Sequence, residues 1–388
     1  MKVCLIGPAY PYRGGIAHFT TLLAREFSRS HEILVVNFSR LYPSFLFPGK
    51  TQFDESAAPI DVSSERIIDS INPFSSIRAA RRIARFEPDL VVFQWWHPFF
   101  AVAYAAVAAA LGRMRRVPRV YLCHNVLPHE ASIVDRTLSR LGFAGADAFL
   151  VQSSEDEDRL RTILGPALGG KKCALHPHPI YDMFRTGSVG REEARRALGV
   201  SGRVLLFFGY IRPYKGVRVL LEAFARAVRE MELTLLLVGE FYEEREPYDE
   251  LIARLGIGDR IVLVDRYVPN EDVELYFEAA DLVVLPYLSA TQSGIVQVAY
   301  GFDTPVIVTA VGGLPDVVSD GKTGLIVPPG DSAALASAIA DFFNRHSAEE
   351  MAAGIAACKE RFSWERCVQV LLELADETVS GPPDDEKR

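Results

Sequence analysis

Cysteine is scarce in this chain, and the few cysteines are scattered. There are five among 388 residues, with no CxxC pair and no spacing typical of metal ligands: Cys4, Cys123, Cys173, Cys358 and Cys367. Cys4 and Cys123 lie inside apolar runs, where cysteine behaves as a small hydrophobic residue. The spacing argues against a disulfide framework and a structural zinc site. We therefore expect a reduced, cytoplasmic protein without a metal.

A membrane-spanning run is also lacking. The N-terminus, MKVCLIGPAY, has neither the basic start nor the long apolar run of a signal peptide. The longest apolar stretch, Phe99–Leu111, is Ala-rich and about 13 residues long, whereas a bilayer span needs about 20. We expect this stretch to form a buried or interfacial helix.

Basic residues are in deficit overall, but not in the first half. The net charge is −8, and no RNA- or DNA-binding motif is present, so nucleic acid is not an expected partner. Residues 1–182 contain 21 basic and 17 acidic side chains, while the remainder contains 21 and 33. A basic half beside an acidic half predicts that the N-terminal half faces something anionic.

Short apolar runs alternate with amphipathic segments along most of the chain. This pattern predicts an α/β protein with parallel sheets and helices on both faces. The predicted strands are Val3–Ile6, Ile33–Phe38, Leu90–Phe93, Arg119–Cys123, Ala148–Gln152, Val204–Phe208, Leu233–Val238, Ile261–Val264, Leu282–Pro286, Val306–Thr309 and Gly324–Val327. Leu41–Ser70 has no clear periodicity, so we predict a long loop there.

The pattern restarts near residue 200, after a proline-containing connector at His176–Asp182. We predict an N-terminal domain over 1–182 and a C-terminal domain over 183–363. A last helix, over about 364–376, follows the second domain. The remaining residues, 377–388, are polar and predict a disordered tail.

Ligands of open α/β sheets bind beyond the carboxyl ends of the strands. The first such loop is PAYPYRGG, where Gly14 and Gly15 allow close approach of a ligand to a helix N-terminus. A plain turn is the alternative. The dinucleotide fingerprint GxGxxG is absent, which argues against an NAD-dependent enzyme.

A second loop, FFGYIRPYKG, places Arg212 and Lys215 between a strand and a helix. A helix N-terminus is unfavourable for cations, so this placement favours binding of an anion such as a diphosphate over a solvated pair of charges. In a third loop, Ser293, Gly294 and Ile295 begin a helix and present N–H groups to a phosphate. The glycine turn VGGLP follows the next strand.

Together these segments resemble the retaining GT-B glycosyltransferases of family four. The resemblance covers nearly the whole chain and includes PYRGGIAHF, FFGYIRPYKGVRVLLEAF, LLLVGE, TPVIVTAVGGLPDVVSDGKTGLIVPPGD and FSWERC. It implies two Rossmann-like domains facing a central cleft, with the last helix crossing back to the N-terminal domain. It also implies a nucleotide-sugar donor, UDP- or GDP-linked, and no cofactor or catalytic metal.

The resemblance further implies roles for particular residues. Arg212 and Lys215 would bind the donor diphosphate near Gly15 and the amides of Ser293, Gly294 and Ile295. Gly239, Tyr267 and Val268 would line the base, and His124 would lie near the donor sugar; a plain hydrogen-bonded histidine is the alternative.

One departure from the family concerns two glutamates eight positions apart, where this chain has Ala290 and Val298. Gln292 and Gln297 lie within two residues of these positions. Gln297 is a neutral candidate for the ribose contact, and its hydrogen bond is weaker than that of a carboxylate.

The acceptor is expected on the N-terminal domain. Arg78, Arg81, Arg82 and Arg85 recur at helical spacing, and Trp95, Trp96, Phe99 and Phe100 follow in sequence. This pattern favours peripheral contact with an anionic membrane or a lipid-linked acceptor. We expect a glycan, lipid-linked or small-molecule acceptor and a role in polysaccharide or glycolipid synthesis. Solvated helix faces and core aromatics are the alternative. A non-catalytic nucleotide-sugar-binding protein and a GT-B-type UDP-sugar epimerase are the competing functions.

Overall fold

The chain folds into two compact units. The structure, a computed structural model, describes residues 1–43, 51–128 and 131–380. The first unit is formed by the described residues of Met1–Asp54, Pro59–Pro177 and the stretch that begins at Ser363. The second is formed by Glu55–Ala58 and His178–Phe362. The domain boundary at Asp182 stays a prediction, five residues beyond this division.

The first unit contains a parallel sheet of seven strands in the order β3-β2-β1-β4-β5-β6-β7. The strands are β1 (Lys2–Ile6), β2 (Glu32–Arg40), β3 (Glu65–Asp69), β4 (Leu90–Trp95), β5 (Arg119–Cys123), β6 (Ala148–Val151) and β7 (Lys172–Leu175). The helices between them are α1 (Gly15–Ser28), α2 (Pro73–Phe86), α3 (Ala101–Met114), α4 (Ile133–Phe143) and α5 (Ser154–Leu164). Side chains alternate across β1, so that Val3 and Leu5 join one apolar cluster and Cys4 and Ile6 the other.

The second unit contains a parallel sheet of six strands in the order β10-β9-β8-β11-β12-β13. The strands are β8 (Arg203–Phe208), β9 (Leu233–Val238), β10 (Ile261–Val264), β11 (Leu282–Leu285), β12 (Val306–Thr309) and β13 (Gly324–Val327). The helices are α6 (Arg191–Leu198), α7 (Val217–Ala227), α8 (Glu246–Leu255), α9 (Val273–Ala279), α10 (Gly294–Gly301), α11 (Leu314–Val317), α12 (Ser332–Arg345) and α13 (Ala348–Cys358).

The last helix, α14 (Trp364–Ser380), packs on the first unit. Its buried stripe, Cys367, Leu371 and Ala375, joins the apolar cluster that contains α1. The ring of Trp364 contacts that of Phe19 at a centroid distance of 4.9 Å. The predicted start of a disordered tail at residue 377 is wrong, since the helix continues to Ser380. Residues 381–388 lie outside the described residues.

Four elements were not predicted from the sequence: the strands β3 and β7 and the short helices α6 and α11. The prediction of a long loop over Leu41–Ser70 is wrong because β3 lies within it; residues 44–50 lie outside the described part of the chain. β3 and β7 are edge strands of mixed polarity, and α6 buries only Ala194. Peripheral elements bury few side chains and therefore lack the apolar pattern from which strands and helices are predicted.

Each sheet has a point where the strand order reverses, between β1 and β4 in the first unit and between β8 and β11 in the second. The loops that leave neighbouring strands there run to opposite faces and open a crevice at the carboxyl ends. The predicted phosphate-binding loops follow β1, β8 and β11. Among the described residues, no helix is long and apolar enough to span a bilayer.

Candidate active site

The loops after β8 and β11 are in contact, backbone against backbone. Gly216 has a φ of 67°, and a Cβ built there would lie 1.9 Å from the carbonyl oxygen of Pro286. Close by, the N–H of Leu288 donates to the carbonyl of Tyr214 at 2.7 Å. The two loops of this unit that were predicted separately as anion-binding loops are thus in direct contact.

Arg212 and Lys215 are each held on the face of an aromatic ring. Nζ of Lys215 lies 3.7 Å from the ring centroid of Tyr287, and the guanidinium carbon of Arg212 lies 4.6 Å from that of Tyr242. Within the described residues, neither side chain forms an ion pair. A ring face attracts a cation without accepting its N–H groups individually, so these donors stay available to an anion.

The electrostatic state of Lys215 reflects this environment. Burial, together with a smaller effect of the nearby charge of Arg212, lowers the pKa of its ammonium group from 10.5 to about 8. In the free protein the charged form of Lys215 is therefore less stable than it would be in water. A bound diphosphate would offset this destabilisation by supplying the missing negative charge.

The N-terminus of α10 lies in the same site and is open. Ser293 occupies the N-cap position, but its side chain makes no capping bond; its Oγ lies 3.0 Å from the hydroxyl of Tyr287 instead. The first two N–H groups of a helix have no partner inside the helix, and here they belong to Gly294 and Ile295. With no acidic residue in this turn, the helix end is suited to an anion.

The departure from the paired glutamates lies in the same helix and in the loop before it. Ala290 and Val298 are buried and apolar, and the sequence has no acidic residue from Pro286 to Phe302. Gln297 is 1% exposed, and its Oε1 accepts no hydrogen bond within the described part of the chain. An unpaired buried amide oxygen is costly, which makes Gln297 a candidate for a hydroxyl-bearing ligand.

The residues proposed for the base follow β9 and β10. Gly239 has a φ of 155°, and a Cβ there would lie 1.9 Å from the carbonyl oxygen of Gly209, so its own packing already requires glycine. The half-buried ring of Tyr267 stacks on Tyr210 at 6.2 Å, and Tyr210 contacts Tyr242 at 4.5 Å. Val268 is buried.

Tyr242 and Tyr287, whose rings contact the two cations, were not predicted from the sequence as site residues. The available signal was an aromatic residue shortly after each apolar strand, in GEFY and LPY. That signal does not say which cation each ring will meet, because the partners are far apart in sequence.

In the first unit, Gly14 and Gly15 form the start of α1. Gly14 has a φ of 103°, and a Cβ built at either glycine would meet no atom within 4 Å. The helix has no side-chain cap and no acidic residue in its first turn. Its first N–H groups therefore have no capping side chain as an acceptor, as a site for a phosphate or sugar requires.

His124 follows β5 and is buried. Its Nδ1 lies 3.1 Å from Oε1 of Gln152, and its Nε2 lies 2.6 Å from Oε1 of Gln94. The imidazole is therefore held on both sides by glutamine amides. The role of His124 beside a donor sugar stays a prediction. Among the described residues, no group of three or more His, Cys, Asp or Glu side chains could hold a metal ion.

Solved structures of the same architecture show the class of the fold. Sucrose-phosphate synthase from Thermosynechococcus elongatus superimposes with a TM-score of 0.73 at 19% identity, covering 98% of this chain and 100% of that one. Anabaena HepE in complex with UDP gives a TM-score of 0.73 at 21% identity, covering 96% and 99%. The two parallel-sheet units thus have the GT-B fold of glycosyltransferases.

Sequence comparison identifies the family. Residues 13–180 match the family described as Glycosyltransferase Family 4, and residues 202–345 match Glycosyl transferases group 1. The D-inositol 3-phosphate glycosyltransferase of Kribbella flavida is 33% identical in an alignment 372 positions long, gaps included, that covers 87% of this chain and 84% of that protein. The chain belongs to glycosyltransferase family four.

Coverage of the relatives is uneven. The D-inositol 3-phosphate glycosyltransferase of Streptomyces avermitilis is 33% identical in an alignment 277 positions long, gaps included, that covers 68% of this chain and 59% of that protein.

Proposed function

We propose that the protein transfers a hexosyl group from a UDP- or GDP-sugar, with retention at the anomeric carbon, to a glycan, lipid-linked or small-molecule acceptor. The observation that carries this proposal is the pair of cations, Arg212 and Lys215, held on tyrosine rings beside the open N-terminus of α10. HepE, a structural neighbour, is known in complex with UDP and with UDP-glucose.

The chemistry follows from the charge of the leaving group. The bond between the anomeric carbon and the diphosphate oxygen breaks, and the acceptor oxygen forms the new bond to the same carbon. The acceptor's proton passes to the departing diphosphate, so no protein base is needed. Arg212, Lys215 and the amides of Gly294 and Ile295 stabilise the negative charge that grows on the diphosphate.

Gln297 is proposed to hold a ribose hydroxyl. The free Oε1 would accept the hydroxyl hydrogen, and the contact would remove the cost of a buried, unpaired oxygen. A neutral amide gives this contact without adding negative charge beside the diphosphate.

The test is a panel of UDP-, GDP-, ADP- and TDP-sugars, with release of nucleoside diphosphate measured with and without a membrane lipid extract. A transferase releases diphosphate from one donor, and the release rises with acceptor. An epimerase converts the donor sugar without any acceptor. Binding of a donor with neither product would support the non-catalytic alternative.

The pH dependence of the reaction should report on Lys215. The ammonium group carries its charge below its pKa, so kcat/KM for the donor is expected to fall as pH rises through about 8. In Lys215→Arg the guanidinium stays charged at pH values up to about 12, so this fall should disappear even where overall activity is lower. A fall at the same pH in both proteins would assign it to another group.

We propose that the first unit contacts an anionic membrane through the α2 surface, which we define as Ile71, Phe74, Ile77, Arg78, Arg81 and Arg85. All six side chains are exposed, and Phe74 is 78% exposed. Exposed apolar side chains also begin α4, where Ile133 is 84% exposed. Apolar residues beside arginines are typical of a membrane-surface contact.

The structure changes the composition of this surface. Arg82 is half-buried and bonded to Glu65, so the expected row of four arginines is reduced to three. The expected contribution of Trp95 and Phe100 is wrong, because both side chains are fully buried in the core. The proposed contact therefore rests on α2 and the start of α4.

Flotation with phosphatidylglycerol/phosphatidylcholine vesicles at low salt checks the membrane proposal. Phe74→Ser/Arg81→Glu is expected to lower the bound fraction about tenfold, because it removes an apolar anchor and reverses a charge. The matched control is Arg226→Glu, which reverses an exposed charge on α7 of the second unit. Absence of binding by the wild type at low salt would contradict the proposal.

A further inference from the structure

Tyr287 touches both parts of the proposed diphosphate site. It follows Pro286 after β11, and its side chain is fully buried. One face of the ring lies 3.7 Å from Nζ of Lys215, and the hydroxyl lies 3.0 Å from Oγ of Ser293. A single side chain thus connects the lysine of one loop with the N-cap of α10.

An aromatic ring differs from a carboxylate as a partner for a lysine. A carboxylate in place of the Tyr287 ring would neutralise the charge of Lys215 and accept hydrogen bonds from its N–H groups. The ring face attracts the ammonium group through its quadrupole and accepts none of the three N–H groups individually. Lys215 is therefore positioned while its capacity to bind an oxyanion is kept.

The hydroxyl acts on the helix terminus. A serine at the N-cap usually accepts a hydrogen bond from an N–H of the first turn, which satisfies the donors that would otherwise bind an anion. Ser293 makes no such bond, because its Oγ is engaged by Tyr287. Burial raises the pKa of Tyr287 above its usual range, so the phenol stays neutral and keeps its proton.

We propose that Tyr287 is a positioning residue for the donor diphosphate: its ring holds the ammonium group of Lys215 in place, and its hydroxyl prevents Ser293 from capping α10. This inference rests on the proposed function. It predicts that the two contributions are separable, since phenylalanine keeps the ring and removes only the hydroxyl.

The backbone around Tyr287 is anchored independently of its side chain. Oγ1 of Thr309 donates to the carbonyl of Tyr287 at 2.6 Å, and Leu288 donates to Tyr214 at 2.7 Å. Side-chain substitutions at this position therefore leave the loop with its main-chain contacts.

The test is a titration of the full chain with UDP and GDP. The nucleoside diphosphate that binds more tightly is then compared with the monophosphate of the same nucleoside. Both dissociation constants are measured for the wild type, Tyr287→Phe, Tyr287→Leu and Tyr287→Phe/Ser293→Ala. We expect Tyr287→Phe to weaken diphosphate binding about threefold, because the freed serine caps the helix. Tyr287→Leu, which also loses the ring, should weaken it about tenfold or more.

Two readouts separate positioning from loss of structure. Monophosphate binding should change less than diphosphate binding, because a monophosphate offers less negative charge to Lys215 and to the N-terminus of α10. The double variant should recover most of the loss of Tyr287→Phe, because alanine cannot cap the helix.

Equal losses for monophosphate and diphosphate, or no loss in any variant, would overturn the role of Tyr287. No recovery in the double variant would overturn only the hydroxyl's part in it. Absence of diphosphate binding by the wild type would overturn the donor site itself. Should Tyr287→Leu fail to fold, Tyr287→Phe and the double variant decide the question.

Discussion

Lys215→Ala is expected to lower kcat/KM for the donor about a hundred- to a thousandfold, which is the usual cost of removing one preorganised donor for a developing oxyanion. The loss should appear mainly in kcat, because the charge on the diphosphate is greatest when the sugar bond is breaking. The fold should be unaffected, since the side chain forms no ion pair in the described residues.

The control for this variant is Lys322→Ala, which removes an exposed lysine from a turn of the same unit. It should retain wild-type kcat/KM and thermal stability. A Lys215→Ala protein with kcat/KM within about threefold of the wild type would contradict electrostatic stabilisation by this residue, since a much larger loss is expected for such a group.

Gly216→Ala is expected to lower the free energy of unfolding by ~3 kcal/mol or more and to abolish donor binding. The new Cβ would lie 1.9 Å from the carbonyl oxygen of Pro286, and no rotamer change relieves a collision with backbone. The loops after β8 and β11 would have to separate, which would also move Lys215 off the ring of Tyr287.

The matched control for Gly216→Ala is Gly256→Ala. Gly256 has nearly the same φ, 66°, but a Cβ there would meet nothing within 4 Å. Its substitution should therefore cost only the left-handed backbone strain, ~1–2 kcal/mol. Chemical denaturation of both variants measures the difference. Equal losses of stability would show that the collision is absent and that the two loops are not in close contact.

The central strands and the site loops were predictable from the sequence for a shared physical reason. Strands buried on both faces are continuous apolar runs, so their ends locate the loops that carry Arg212, Lys215 and Ser293. β3 was not predictable in this way, because an edge strand mixes polar and apolar residues. Because β3 was not predicted, its ion pair with α2 was not predicted either. In that pair Glu65 of β3 binds Arg82 and removes it from the basic face of α2.

The contacts that hold the cations of the site in place could not be predicted from the sequence. Lys215 and Tyr287 lie on different loops and meet only because β8 and β11 are neighbours in the sheet. Gly239 differs from these residues, because the family resemblance implied a ligand contact for it. The structure shows a close backbone contact with Gly209 that already requires glycine at this position. A motif indicates the residue type that a position needs without saying whether a ligand or the chain itself imposes it.

The central claim is that the donor diphosphate binds between the loops after β8 and β11 of the second unit. Hydrogen exchange of the full chain, with and without the nucleoside diphosphate that binds most tightly, tests it directly. We expect protection concentrated in residues 209–216 and 290–297, and much weaker protection of these segments by the corresponding nucleoside. Protection by the diphosphate elsewhere, with these two segments unchanged, would contradict the account.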